Sequence, residues 1–161
     1  MRSGSPLSFI HFICVHGPGV CMKVYFAGSI RGGEPDRDWF HRLIRHISGH
    51  GKVLTEHSFG YSYEEEISFD DTWIYERDMD WLMEADALVA EVSAPSLGVG
   101  YEIAKAEEWG KPTLLLYREE PSRKPSAMLN GNMNLELVVF TEEEDALNAV
   151  DRFLSPLVAG G

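Results

Sequence analysis

Apolar and polar positions change period along this chain, and the changes mark out alternating elements. Lys23-Val24-Tyr25-Phe26-Ala27 is a nearly continuous apolar run that stops at Gly28, the pattern of a strand covered on both faces. Trp39, Phe40, Leu43, Ile44 and Ile47 then recur with helical period until Gly49 to Gly51 end the helix. Val53-Leu54 begins a short second strand, followed by a polar and aromatic loop from Gly60 to Asp71. A second helix is predicted from Phe69 to Ala85, because Ile74, Asp78, Trp81, Leu82 and Ala85 fall on one face. Ala87 to Val92 reads as the third strand, Pro95 to Gly100 as a tight loop, and Tyr101 to Trp109 as a third helix closed by Gly110. Thr113 to Tyr117 and Leu135 to Phe140 complete the strands, and Glu142 to Leu154 forms a terminal helix.

Strands alternating with helices imply an α/β fold: a doubly wound five-stranded parallel sheet of flavodoxin-like or Rossmann-like type. Ligands of such sheets bind beyond the carboxyl ends of the strands, where the strand order reverses. For an order 2-1-3-4-5 that crevice lies between the loops after strands one and three. Those are the two loops of this chain with unusual residues.

Composition narrows the reading. The 161 residues include 14 Lys and Arg against 26 Asp and Glu, a net charge of -12. Such a surface repels phosphate backbones and anionic lipid, so neither nucleic acid nor a membrane surface is an expected partner. Both cysteines, Cys14 and Cys21, lie in the opening stretch, which suits a reducing, cytoplasmic setting and excludes a Cys-based site in the body. That stretch, residues 1–21, carries Arg2 as its sole charge and breaks every apolar run, a weak match to a signal peptide. It reads as a tag or misassigned upstream segment, with residues 22–161 the single domain.

Several residues could carry chemistry. Gly28-Ser29-Ile30-Arg31-Gly32-Gly33 follows the first strand directly; its glycines can turn successive N–H groups toward an anion, Ser29 adds a hydroxyl and Arg31 a permanent charge. The alternative is a glycine-rich turn with a solvated Arg. Ser96-x-Gly98-x-Gly100 leads into a helix whose first turn is expected to hold Glu102, a catalytic candidate or merely an acid favoured at a helix start. Asp78 lies on the apolar stripe while Arg77 and Asp80 point elsewhere; a carboxylate there is costly unless paired or used. His57 lies after strand two at the same sheet edge. His41, His46 and His50 lack a companion carboxylate pattern and read as solvated, so no metal site is expected, nor any cofactor: the glycine pattern is neither a complete dinucleotide fingerprint nor a Walker loop.

Taken in order, Tyr25-Phe26-x-Gly28-Ser29-Ile30-Arg31-Gly32-Gly33, Leu54-Thr55-Glu56-His57, Asp78-x-x-Trp81-Leu82, Ala85-Asp86, Ala90-Glu91-Val92, Pro95-Ser96-Leu97-Gly98-Val99-Gly100-Tyr101-Glu102 and Ser126-Ala127-Met128 form a recognisable series. The series resembles the 2'-deoxynucleoside 5'-monophosphate N-glycosidases known as Rcl, within the nucleoside 2-deoxyribosyltransferase-like superfamily. The resemblance implies a hydrolase that releases the free base and 2-deoxyribose 5-phosphate through a glycosyl ester. It casts Glu102 as nucleophile, and Asp78 as the carboxylate that places the sugar and assists base departure. Gly28 to Gly33, Ser96 and Gly98 become the phosphate and sugar cradle, and Tyr25 and His57 neighbours of sugar and base. Ser126, Ala127 and Met128 become contributions from the partner subunit of a homodimer. Phe59 to Asp71 and Glu34-Pro35-Asp36 depart from the family pattern. A deoxyribosyltransferase that exchanges bases, or a non-catalytic nucleotide sensor, are the alternatives.

Overall fold

The computed structural model describes residues 21–29, 36–55 and 68–159. Within them, β1 (Lys23–Gly28), β2 (Lys52–Val53), β3 (Ala87–Glu91), β4 (Thr113–Arg118) and β5 (Glu136–Phe140) form one parallel sheet in the order β2-β1-β3-β4-β5. The helices are α1 (Arg37–Ser48), α2 (Asp71–Glu84), α3 (Leu97–Glu108), α4 (Ala127–Asn130) and α5 (Glu143–Ala159). This is the expected doubly wound architecture, with the order reversing between β1 and β3.

Side-chain alternation along β1 divides the core in two. Val24 and Phe26 pack with Trp39, Leu43 and Ile47 of α1 and Val150 and Leu154 of α5. Tyr25 and Ala27 face the other way, toward Leu82 of α2 and Val99, Ile103 and Ala106 of α3. Each sheet face thus has its own apolar layer, as a parallel sheet requires.

Local chemistry sets the element ends. Asp36 caps α1 by accepting from the Trp39 amide at 2.9 Å, and Asp70 caps α2 by accepting from Thr72 and Trp73. Lys111 reaches the far end of α2 and donates to the Met83 and Ala85 carbonyls, which have no partners inside the helix. β2 is only two residues long because Thr55 takes over its pairing: the hydroxyl accepts from the Phe26 amide at 3.1 Å and donates to the Phe26 carbonyl at 2.8 Å.

Two boundaries differ from the sequence reading in ways that matter. α3 begins at Leu97, not Tyr101, so the expected loop from Pro95 to Gly100 is largely the first turn of a helix capped by Ser96. Two glycines with poor helix propensity hid that turn. α5 runs on to Ala159 through Pro156, with Leu157 and Val158 packed against the α1 layer to hold it there. The short α4, preceded by Ser126, had no periodic signal.

Candidate active site

Strand alternation points Tyr25 at the α2/α3 face, and that phenol is the centre of the site. Tyr25 is 2 % exposed, and its hydroxyl donates to Glu102 Oε1 at 2.7 Å. Burial pushes its pKa well above the usual range, helped by the nearby charges of Glu102 and Asp78. It therefore stays a proton donor at any physiological pH.

Glu102 sits on the side of α3 that looks toward α2. Because α3 starts at Leu97, Glu102 is the sixth helical residue and no acidic side chain occupies the first turn. The helix-start explanation of Glu102 therefore fails, since the dipole effect fades beyond the first turn. Burial pushes its pKa up to about 7; the Tyr25 hydrogen bond opposes this, Asp78 adds to it, and Arg77 opposes it. Near neutrality this carboxyl stands between its two protonation states, the condition expected of a group used in chemistry.

Asp78 comes from α2, and its pKa is also raised by burial against the opposing charge of Arg77. The expectation that Arg77 points away is corrected here. Its Nε and Nη2 both lie 2.8 Å from Asp78 Oδ1, and the guanidinium stands 4.8 Å from the ring centres of both Trp73 and Trp81. A cation held between two indole faces is fixed in orientation. Both contacts fall on Oδ1, so Oδ2 keeps no hydrogen bond among the described residues and is free to accept one. The spacing Trp73-x-x-x-Arg77-x-x-x-Trp81, one turn per step, was the available signal for this clamp.

The α3 start completes the crevice. Ser96 Oγ accepts from the Val99 amide at 3.4 Å and its carbonyl from the Gly100 amide at 3.1 Å. The Leu97 and Gly98 amides are left without a partner among the described residues. A methyl at Gly98 would approach nothing nearer than Ser96 Oγ at 3.8 Å, and one at Gly100 would meet nothing within 4 Å. No packing among the described residues requires these glycines, although each costs a helix about 1 kcal/mol relative to Ala. What they provide is open space over exposed backbone amides. Across the crevice, Gly28 ends β1 opposite Glu91, and Ser29 follows it, 2 % exposed. Ile30, Arg31, Gly32, Gly33 and His57 lie outside the described residues, so of the expected phosphate loop only Gly28 and Ser29 are described.

Ser126, Ala127 and Met128 are not among the side chains around Tyr25. They lie at and just before α4, where Ser126 and Met128, with Ser96, Leu97 and Gly100, line a cleft of about 620 Å³ beside the start of α3. The Ser126 hydroxyl makes no capping bond to its own helix. Leu97 and Met128, which line this cleft, stand 96 % and 83 % exposed.

The nucleoside 2-deoxyribosyltransferase family profile matches residues 24–147, and the chain belongs to that family. A Nematostella vectensis protein with the provisional name 2'-deoxynucleoside 5'-phosphate N-hydrolase 1 is 43% identical over 143 residues, covering 86% of this chain and 97% of that protein. The 5-hydroxymethyl-dUMP N-hydrolase of Mus musculus is 48% identical over 118 residues, 71% of this chain and 68% of the mouse protein. Among solved structures, the Clostridium botulinum CMP N-glycosidase BcmB shares the fold, with a TM-score of 0.60 over 82% of this chain and 99% of that chain at 22% identity.

Proposed function

We propose that this protein hydrolyses the N-glycosidic bond of 2'-deoxynucleoside 5'-monophosphates, yielding the free base and 2-deoxyribose 5-phosphate. The observation that carries the reading is the buried Glu102, hydrogen-bonded to Tyr25 at 2.7 Å and poised near neutrality, in a chain related to named N-hydrolases. Breaking the bond develops positive charge at C1', which an adjacent carboxylate stabilises and can capture. Glu102 in its ionised form attacks C1' as the C1'–N bond breaks; the base leaves with the bonding pair and takes up a proton. Water then attacks C1' of the ester, restoring the Glu102 carboxylate and releasing a proton. Tyr25 holds the attacking group in place, and the free Asp78 Oδ2 accepts a sugar hydroxyl. The Leu97 and Gly98 amides, with Ser96, Ser29 and Arg31, bind phosphate and sugar.

We further read the enzyme as a cytoplasmic homodimer built from residues 22–161. The exposed Leu97 and Met128 of the cleft support an interface at α3 and α4, which would bring the partner's Ser126 toward the phosphate. Met22, packed in the α1 layer, belongs to the domain; a chain starting there should keep full turnover. No helix among the described residues is long and apolar enough to cross a membrane.

Incubation with dGMP and with 5-hydroxymethyl-dUMP, followed by chromatography, tests the reading. Free base formed without an acceptor base supports hydrolysis. Turnover only when a second base is added would assign the base exchange for which the family is named, and no turnover on either nucleotide would leave a binding domain. Mass spectrometry during turnover should find a deoxyribose-phosphate adduct on the peptide containing Glu102.

A further inference from the structure

The sheet face remote from Tyr25 and Glu102 holds a second cluster of chemically capable side chains. His46, in the last turn of α1, and His50, just beyond it, each place Nε2 against the same oxygen of Asp151 in α5, at 2.7 Å and 2.6 Å. The three ligand atoms all lie within 4.8 Å of one another. The sequence reading of these histidines as solvated and without a companion carboxylate is corrected: the carboxylate lies 105 and 101 residues further along the chain.

We propose that His46, His50 and Asp151 form a binding site for a divalent transition-metal ion of the zinc class. Two imidazole nitrogens and one carboxylate oxygen are a donor set that such ions accept. Tetrahedral ligands at bond lengths of about 2.0–2.2 Å stand roughly 3.3 Å apart, so each imidazole–carboxylate contact needs to open by about 0.6–0.7 Å to admit an ion. The two rings approach from successive turns at a mutual tilt of 59°, with centres 6.0 Å apart, and both present Nε2 rather than Nδ1 to the common point. Side-chain exposures of 31 %, 19 % and 44 % leave the point accessible from solvent. Three protein ligands leave a fourth position for water. Bound metal would tie the end of α1 to the middle of α5, the two helices that cover this face. His41 is exposed and belongs to no such group.

Zinc chloride titrated into the full chain tests the site, by calorimetry and by NMR of the histidine ring nitrogens. The expected result is one zinc ion per chain, with the His46 and His50 nitrogens shifting together and a melting temperature that climbs with zinc concentration. His50→Gln and Asp151→Asn should each weaken binding by at least the roughly 10–100-fold seen on removing an outer partner, and abolish the thermal shift. Cys14, Cys21 and the other histidines remain in both variants, so affinity unchanged in both would place the metal elsewhere and overturn the proposal. Absence of any shift at the His46 and His50 nitrogens in the wild type at millimolar zinc would overturn it too, whatever the variants' own stability. dGMP turnover in the two variants should equal that of the wild type.

Discussion

Glu143 and Asp151 on one face of the sheet and Glu102 and Asp78 on the other are held in opposite ways. On the α1/α5 face, Glu143 is held below its usual pKa by the Arg42 guanidinium, whose Nε lies 2.9 Å away. Burial alone would raise Asp151, yet the hydrogen bonds from His50 and His46 together keep it low. On the α2/α3 face, Glu102 and Asp78 are both raised, in each case chiefly by burial. The first face surrounds an aromatic and aliphatic layer of Trp39, Phe40, Leu43 and Ile47 with paired charges, apart from Glu91 at the end of β3, whose pKa burial raises against a hydrogen bond from Ser93 and the charge of Arg118. The second holds charges that would be more stable in water. The paired carboxylates of the first face serve stability, and Glu102 and Asp78 on the other maintain a local cost that chemistry can use.

The deepest break in this contrast is Glu102→Gln. Loss of the attacking charge should lower kcat by three orders of magnitude or more, equivalent to at least about 4 kcal/mol of transition-state stabilisation, with little change in nucleotide affinity. The same change should stabilise the fold. Glu102 titrates at about 7 when folded and near 4.5 when unfolded. Between those values the folded chain holds a proton that the unfolded chain has released, so stability falls as pH rises through the window. At pH 8 the variant should therefore be about 1–3 kcal/mol more stable than the wild type, with the gap closing toward pH 4.5. Paired activity and denaturation measurements check both halves; a variant that still turns over at wild-type rate removes Glu102 from the reaction.

Leu43→Ala on the other face should show the converse. Leu43 is fully buried, and its truncation should cost about 2–5 kcal/mol of stability. Turnover per folded molecule should be unchanged, as urea melts and kinetics at low temperature would show.

Tyr25→Phe sharpens the electrostatic half of the comparison. The phenol holds the Glu102 pKa down, so its loss should move the rising limb of the pH–rate profile above 7. Loss of a hydrogen bond to a charged group contributes about 1.5–3 kcal/mol, so kcat/KM at pH 7 should drop roughly tenfold to hundredfold and recover partly at pH 9. A uniform loss at every pH would show that Tyr25 acts by packing rather than through Glu102. The smallest effect is expected at Gly100, where an added methyl meets nothing within 4 Å among the described residues. Gly100→Ala should raise stability by about 0.4–1 kcal/mol while raising KM for the monophosphate, if the open space serves the ligand. Gains in stability with KM unaltered would free Gly100 from that role.

Much of this was legible without coordinates. Runs such as Ala87 to Glu91 and the spacing of Trp39, Leu43 and Ile47 report their own burial, because strand and helix periods are local properties of the chain. The same logic marked Asp78 as a carboxylate on an apolar stripe. It failed at Leu97 to Gly100, where glycines that leave room over the backbone read as loop. It failed again at Arg77, since a long side chain can fold back onto a neighbouring residue that its own helical position faces away from.

The sequence by itself determined the alternation of strands and helices and the sheet edge at which the order reverses, and it singled out Tyr25, Asp78 and Glu102 as the residues to watch. Only the tertiary structure decided which groups meet. Tyr25 reaches Glu102 across 77 residues because β1 and β3 pair in one register and α3 packs against the α2/α3 face of that pair. His46 and His50 find Asp151 because α1 and α5 cover the same side. Which carboxylates are lowered and which are raised follows from these meetings. Desolvation and hydrogen bonding depend on what surrounds a group in space, and that information is not carried by its neighbours in the chain.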